Sequence, residues 1–294
     1  VVTIFYFLLK FTRISEYGVD LPAIIFSILA IYNFFKFSET EPIEEKKNYF
    51  FLIIIFSIFS ILIKLSTAPI ILLSFYLFVK HFKDLKFSIF DSKYLLIYSL
   101  LISFFIQQFI YTGCFLFPTN LTCFNVSWFN QDYLKLSQGL ELVNKSYNLA
   151  KDIFTPEEYI KNFNWIYFWI KRNFIEISEH LLTIILPSML FLLFLKKKKE
   201  NIFIFKENIF IYVFLFVGLI FWFYFSPVYR FAIYLFLTLI FMLLLNFFYR
   251  KEFSKKVFII FFSIFILFNF SKNILRLDNK NDIYFGIQKI HNKY

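Results

Sequence analysis

Five ionisable side chains stand beside apolar segments of this sequence, where an isolated charge is costly and is by default a functional candidate. Glu16 and Asp20 are carboxylates, and Arg13, Lys64 and Arg230 are cations. A carboxylate can accept or orient the proton of a hydroxyl group, and cations can bind a phosphate that leaves. The sequence therefore offers Asp20 and Glu16 as catalytic candidates and the three cations as substrate-binding candidates.

Arg230 is the strongest of the substrate-binding candidates. It follows Pro227 and Tyr229 and begins a long apolar run, where a cation is poorly placed because a helix N-terminus carries partial positive charge. The position predicts an anionic neighbour: a substrate phosphate bound in bidentate fashion, a carboxylate of this protein or a lipid headgroup. Tyr229 joins Arg230 as a substrate-binding candidate. The alternative for Lys64 and Arg230 is that they only snorkel to the headgroups.

Asp20 also has two interpretations. It precedes Leu21 and Pro22 at the start of an apolar segment, where a helix N-terminus favours an ionised carboxylate. The residue is therefore a candidate base, or it only caps the helix that follows.

The two cysteines, Cys114 and Cys123, stand nine positions apart in the one long stretch that is too polar for a bilayer. Outside the cytoplasm thiols oxidise and persist as disulfides. A closed loop of this size would contribute about 2 to 3 kcal/mol if unstrained. We favour a disulfide, and two buried free cysteines are the alternative if the topology is reversed.

The composition indicates a membrane protein. Hydrophobic residues make up 60% of the chain, Phe alone contributes 50 of 294 residues, and the mean hydropathy is +0.67. Soluble domains use far fewer apolar residues. The chain begins with Val1 inside an apolar run and without Met, so we expect that an N-terminal portion precedes it.

The apolar segments predict an all-α fold, a multi-pass transmembrane bundle of about nine helices. They cover 1–11, 21–37, 49–63, 67–79, 94–111, 181–195, 209–225, 229–248 and 257–270. Several are shorter than the ~20 residues needed to cross the hydrocarbon core. Few residues, Lys64 among them, separate the third segment from the fourth. The alternative is one long helix with a buried lysine, which would invert everything upstream.

Basic residues predict the orientation of these helices. Four connections, 36–48, 80–93, 196–206 and 249–256, contain 3, 4, 5 and 4 of the 31 Lys and Arg residues, so we expect them in the cytoplasm. The other connections then share the extracytoplasmic face: 12–20, 64–67, 112–180, 226–229 and the tail after 270. This grouping brings the ionisable candidates together. It also explains the net charge of +11 without a nucleic-acid partner.

These assignments divide the chain into four parts. We predict N-terminal transmembrane helices over 1–111, an extracytoplasmic loop with interfacial helices over 112–180, C-terminal transmembrane helices over 181–270 and a polar tail over 271–294. The three histidines are scattered, so no metal site is predicted.

The 112–180 region has its own helical signals. An apolar stripe suited to lying on the bundle recurs in steps of three and four at Tyr133, Leu136, Leu140, Val143, Tyr147 and Ala150. Thr155 and Glu158 have the spacing of a capping box, with Pro156 in the first turn. The aromatic run that starts at Trp165 and ends before Lys171 is typical of an interfacial helix at headgroup depth.

Several ordered motifs resemble those of a known family. They are Arg13-Ile-Ser-Glu16-Tyr17-Gly18-Val-Asp20, Lys64-Leu-Ser66-Thr-Ala-Pro69, Gly113-Cys114-Phe-Leu-Phe-Pro118, Thr122-Cys123-Phe124 with Trp128, and Pro227-Val-Tyr-Arg230-Phe231. The chain resembles an uncharacterised family of multi-pass bacterial membrane proteins that is similar to GT-C type glycosyltransferases and associated with cell-surface polysaccharide synthesis. The resemblance spans about 13–231, and the cysteine motif is its most specific part.

The resemblance implies a GT-C-like bundle in the plasma (inner) membrane. It implies an active site that faces away from the cytoplasm and takes a polyprenyl-phosphate-linked sugar as donor, with membrane lipid as the other partner. Such enzymes usually have an acidic residue in the first outer loop, and here that residue is Asp20, Glu16 or one that precedes Val1. Two other functions stay open, a transporter or flippase of lipid-linked glycans and a polysaccharide polymerase or ligase.

Overall fold

The protein is all-helical in the part of the chain that the computed structural model describes, residues 2–10, 18–85, 91–117, 120–129, 131–196, 208–249 and 251–278. Its helices are α1 Val2–Lys10, α2 Asp20–Glu39, α3 Ile43–Ile63, α4 Ile71–Lys80, α5 Phe82–Leu85, α6 Leu95–Thr112, α7 Gln131–Asn144, α8 Pro156–Lys161, α9 Trp165–Leu193, α10 Asn208–Phe225, α11 Ile233–Tyr249 and α12 Lys255–Asp278. The predicted all-α class is confirmed for these residues.

Five helices of the described residues are long and apolar enough to cross a membrane. They are α2, α3, α6 with its preceding turn, α9 and α12, and the shorter apolar helices are α4 with its preceding turn, α10 and α11. This composition indicates a membrane protein. The predicted arrangement of about nine spanning helices stays a prediction, because only these five have the required length.

The helices α2 and α3 form a hairpin whose connection is short enough to make them antiparallel. Pro42 precedes the first turn of α3, where Glu44 and Glu45 suit the positive end of the helix. In the interface between the two helices, the hydroxyl groups of Ser27 and Ser60 lie 2.7 Å apart, and both side chains are fully buried. Small residues allow the backbones of membrane helices to approach closely, so this pair fixes the register of the hairpin.

The chain breaks at Lys64, as the two-helix interpretation predicted. Lys64 has extended backbone angles, φ −152° and ψ 112°, and ends α3. A 3-10 turn, Leu65–Ile70, contains Pro69 and leads into α4. The single long helix with a buried lysine is therefore wrong, because the extended residue turns the chain.

The first turns of α9 correct the predicted interfacial helix. One helix of 29 residues runs from Trp165 to Leu193, so the predicted interfacial and spanning segments are continuous. Trp165 and Trp169 are 1% and 6% exposed and therefore belong to the core rather than to an aromatic belt. No Gly or Pro separates the two predicted segments, and the helix propagates through Lys171 because a lysine at its surface does not interrupt backbone hydrogen bonding.

Helix α7 corrects the predicted packing of the apolar stripe. Leu136, Leu140 and Val143 are 63%, 62% and 43% exposed, whereas Ala150, beyond the helix, is buried, and the side chain of Tyr133 lies outside the described residues. The periodicity is present, but the apolar side does not lie on the bundle. A stripe shows which residues share a face without showing what covers that face.

The chain divides into two compact units, which we describe separately. The first comprises Val1–Gly18, Glu176–Ile204 and Phe236–Tyr294, and the second comprises Val19–Ile175 and Phe205–Leu235. In the first unit, Phe5 is buried among the rings of Phe191, Phe258, Phe261 and Phe265. The second unit contains Asp20, Lys64, Tyr229, Arg230 and both cysteines.

The predicted capping box of α8 is confirmed and generates a first testable prediction. Glu158 N donates to Thr155 Oγ1 at 3.4 Å, and Thr155 N donates to Glu158 Oε2 at 3.2 Å. The hydrogen bonds that Thr155 Oγ1 and then Thr155 N donate to Glu158 Oε2 lower the pKa of Glu158, so the box is fully formed at neutral pH and is lost as the pH falls through that lowered pKa.

We therefore expect Thr155→Ala to increase hydrogen exchange at the α8 amides about five-fold at neutral pH, because one cap is lost. Hydrogen-exchange mass spectrometry measures this directly. Lys151→Ala, an exposed change outside the box, is the control and should leave the exchange unchanged. Equal exchange in wild type and Thr155→Ala would show that the box does not hold the first turn of α8.

Candidate functional site

Asp20 is the first residue of α2 and is almost completely buried, with 4% of its surface exposed. The N-cap position belongs to Val19, and that end of α2 has no side-chain cap hydrogen bond. Asp20 therefore does not make the side-chain hydrogen bond by which a simple N-cap would be recognised. The carboxylate lies instead where the positive end of the helix favours its ionised form.

Both carboxylate oxygens of Asp20 contact a cation. Lys64 Nζ donates to Oδ1, and Arg230 Nε lies 3.1 Å from Oδ2. The cations come from the end of α3 and from the 3-10 turn Tyr229–Phe231 that precedes α11. The structure thus brings together three residues that the sequence separates by 44 and 210 positions. We call Asp20, Lys64 and Arg230 the charge cluster.

The ring of Phe231 lies against both cations of the charge cluster. Lys64 Nζ is 3.3 Å and Arg230 Cζ is 5.4 Å from the centroid of this ring. Cations are attracted to the face of an aromatic ring, most strongly where water is excluded. Sequence reasoning did not select Phe231, because one Phe among 50 carries no signal until its neighbours are known.

The charge cluster has more positive than negative charge. One carboxylate faces two cations, and the side chain of Lys64 is 17% exposed whereas that of Arg230 is 50% exposed. Within the described ranges, Asp20 is the carboxylate that contacts Arg230, and it does so through Nε. Because the side chain of Arg230 is half exposed, its guanidinium can also bind a second anion such as a phosphate.

A buried network of hydroxyl groups supports Asp20 and Lys64 from within the bundle. Ser60 Oγ lies 2.9 Å from Ala23 O, one turn after Asp20, and 2.9 Å from Thr67 Oγ1, so its single proton is shared between these two acceptors. Thr67 Oγ1 donates to Lys64 O at 2.8 Å. Ser27 completes the network through Ala23 O and Ser60. Sequence reasoning missed Ser27 and Ser60, although small polar residues inside apolar helices are a usable signal for helix contacts.

Two tryptophans hold the loop that carries Arg230. Trp169 Nε1 donates to Pro227 O at 2.6 Å, and Trp222 Nε1 donates to Val228 O at 2.8 Å. Their rings are 5.9 Å apart in an edge-to-face arrangement. A buried indole N–H needs an acceptor, and here two indoles donate to backbone carbonyls of the loop that follows α10. The loop is therefore fixed from α9 and from α10.

The remaining sequence candidates have different outcomes. Tyr229 is buried, with 5% exposed, so its ring lies in the core while Arg230 faces outward. Arg13 and Glu16 lie outside the described residues. In the part of the chain that the structure describes, no group of three or more His, Cys, Asp or Glu side chains could hold a metal ion.

The structure contains a disulfide between Cys114 and Cys123 at the end of α6. Backbone hydrogen bonds flank it, from Phe124 N to Gly113 O at 2.9 Å and from Phe115 N to Thr122 O at 3.1 Å. Gly113 ends the helix in the left-handed region, with φ +74°, which glycine adopts without strain. The disulfide closes this loop, and no described contact joins it to the charge cluster.

Comparisons with known proteins give one match. No curated protein and no solved structure is significantly similar to the chain. A family model described as "Domain of unknown function (DUF8201)" matches residues 1–237, a span that includes the charge cluster and both cysteines. The match covers most of the 294 residues, and the chain therefore belongs to the family described as "Domain of unknown function (DUF8201)".

Proposed function

We propose that the protein is a GT-C-like membrane glycosyltransferase that uses a polyprenyl-phosphate-linked sugar in cell-surface polysaccharide synthesis. The observation that carries this proposal is the half-exposed guanidinium of Arg230 in a charge cluster with one excess positive charge. Such a group binds a phosphate in bidentate fashion. A sugar phosphate ester linked to a lipid presents that phosphate at the membrane surface.

The position of the charge cluster suits a lipid-linked substrate. Asp20 begins α2, Lys64 ends α3 and Arg230 follows α10, so the cluster marks one end of three apolar helices. The hydrocarbon core is about 30 Å thick, comparable to the length of these helices, and their ends lie near its boundary. The polyprenyl chain would remain among lipids while its phosphate reaches Arg230.

Asp20 acts in two steps in this proposal. In the described state both of its oxygens face cations, so it orients Lys64 and Arg230 and is not available as a base. When a substrate phosphate takes over Arg230, Oδ2 becomes free to accept the proton of the acceptor hydroxyl. The acceptor oxygen then bonds to the anomeric carbon. The bond from that carbon to the phosphate oxygen breaks, and the cations stabilise the electron pair left on the phosphate.

The orientation of the chain is part of this proposal. The four basic connections would face the cytoplasm and the charge cluster the opposite side of the plasma (inner) membrane. Arg13 and Glu16 remain proposed members of the site through the family resemblance. A flippase with the same charge cluster would move the lipid-linked glycan without breaking a bond, so the assays below separate transfer from translocation.

Arg230→Lys tests the phosphate contact. Lysine keeps the charge but loses the planar fork, so we expect at least ~10-fold slower sugar transfer at normal protein abundance, the usual cost of one hydrogen bond to a charged group. Transfer is measured in sealed vesicles with outward-facing sites and labelled lipid-linked sugar. Arg172→Lys is the matched control, because Arg172 lies on the exposed surface of α9. Wild-type transfer by Arg230→Lys would remove Arg230 from the site.

Asp20→Asn tests the charge balance. It leaves Lys64 mostly buried without its carboxylate, so we expect a loss of about 3 kcal/mol of folding stability together with loss of transfer. Adding Lys64→Met should restore stability, measured as the thermal unfolding midpoint, without restoring transfer. Glu157→Gln is the control and should behave as wild type. If the double variant also regained transfer, neither residue of this ion pair would take part in the reaction.

Reporter insertions test the orientation. An insertion after the exposed Lys151 and one within 197–200 should report opposite compartments, because the second lies in the strongest basic run of the chain. Alkaline phosphatase should be active at the first position only, and a cytoplasmic fluorescent protein at the second only. The same compartment for both would contradict the proposed location of the site.

A further inference from the structure

Helix α7 has an exposed apolar side formed by Leu136, Leu140 and Val143. Lys135, on another side of the helix, is about three-quarters exposed and pairs with Asp132 at 3.6 Å. An amphipathic helix of this kind either lies on its own protein or has another partner. The charge cluster does not include it, so its apolar side needs a separate explanation.

The C-terminal end of α7 is fixed by a buried lysine. Lys145 is 1% exposed, its Nζ donates to Glu141 Oε1 at 2.5 Å, and it lies 5.2 Å from the ring centroids of Trp165 and Tyr224. Tyr159 also donates to Lys145 O at 2.7 Å. The buried cation therefore holds Glu141 and, with it, the rotation of α7 about its axis.

This rotation turns the apolar side away from the rest of the unit. At 3.6 residues per turn, Leu140, Leu136 and Val143 lie roughly 100° to 160° around the helix from Glu141. Their exposure follows from the Lys145–Glu141 pair rather than from loose packing. The apolar side is thus presented outward by a specific contact whose lysine is buried.

The same end of α7 lies beside the end of an apolar helix. Asn144 Nδ2 donates to Ser226 Oγ at 3.1 Å, and Ser226 is the residue that follows the apolar helix α10. The loop after Ser226 carries Arg230, which meets the beginning of α2 and the end of α3. One end of each of three apolar helices thus lies near this end of α7, and a bilayer around those helices would have its boundary there.

We propose that α7 is an interfacial helix that inserts Leu136, Leu140 and Val143 into the lipid surface beside the charge cluster. The occupant of the apolar side is the boundary between headgroups and acyl chains, because that layer is continuous with the lipid around α10. Lys135 then faces the headgroups and water. This inference does not depend on the chemistry of the charge cluster.

Site-specific fluorescence tests this inference. Cys114 and Cys123 are joined, so one introduced cysteine can be labelled alone. Leu140→Cys and the polar-side control Lys135→Cys are each labelled with bimane in nanodiscs of phosphatidylethanolamine and phosphatidylglycerol that contain a doxyl lipid. We expect the doxyl lipid to remove about half or more of the fluorescence at position 140, because interfacial helices bury their apolar side below the headgroups. Iodide in the water should quench only position 135.

Quenching of position 140 by iodide and not by the doxyl lipid would overturn the inference, since the apolar side would then face water. Protection of position 140 from both quenchers would also overturn it, since protein rather than lipid would cover the helix. Val143→Cys serves as the second probe if Leu140→Cys lowers the thermal unfolding midpoint, and the same outcomes apply to it. The assay contains no sugar substrate, so its result is independent of the proposed enzymatic activity.

Discussion

The ion pairs of Asp20 are the constraint on which this end of the structure depends. A buried carboxylate without partners is strongly unfavourable, and here each of its oxygens faces a cation from a different segment. The pairing requires α2 to begin, α3 to end and the 3-10 turn before α11 to lie at one place. It also leaves one positive charge uncompensated, at the side chain that is half exposed. The same ion pairs therefore hold this end of the structure together and leave the positive charge that the proposed phosphate would bind.

Two layers of neutral hydrogen bonds hold the charged side chains in place. The buried hydroxyl groups of Ser27, Ser60 and Thr67 join α2, α3 and the turn after Lys64. On the other side, Trp169 and Trp222 fix the carbonyls that precede Arg230. Each layer donates hydrogen bonds to backbone carbonyl groups, which the bilayer cannot do. The charge cluster is therefore preorganised, and a substrate phosphate would meet Arg230 without reordering the loop.

Local signals were sufficient for several features of the fold. The break at Lys64, the all-helical class and the capping box of α8 follow from residue type and spacing. Grouping the connections by basic charge also indicated which segments lie near one another, and the structure brings Asp20, Lys64 and Arg230 into contact. The grouping rests on the tendency of basic connections to share one face of a bilayer, and the orientation that it predicts stays a prediction.

Tertiary contacts decide the features that sequence reasoning missed. Trp165 and Trp169 precede a basic pair and so resemble an aromatic belt, but their partners, Lys145 and the carbonyl of Pro227, lie 20 and 58 positions away. Nothing in the sequence indicates that Lys145 is buried. The exposure of the stripe on α7 follows from that lysine. Periodicity alone predicted which residues share a face, but it wrongly predicted that this face packs on the bundle.

The central claim is that Arg230 binds the phosphate of a lipid-linked substrate, and direct binding tests it without knowledge of the sugar. Native mass spectrometry of the protein released from nanodiscs can count bound polyprenyl phosphate on wild type, Arg230→Met and the control Arg172→Met. The account predicts that wild type and Arg172→Met retain the lipid phosphate and that Arg230→Met loses it while keeping its thermal unfolding midpoint. Equal retention by all three proteins would contradict the account.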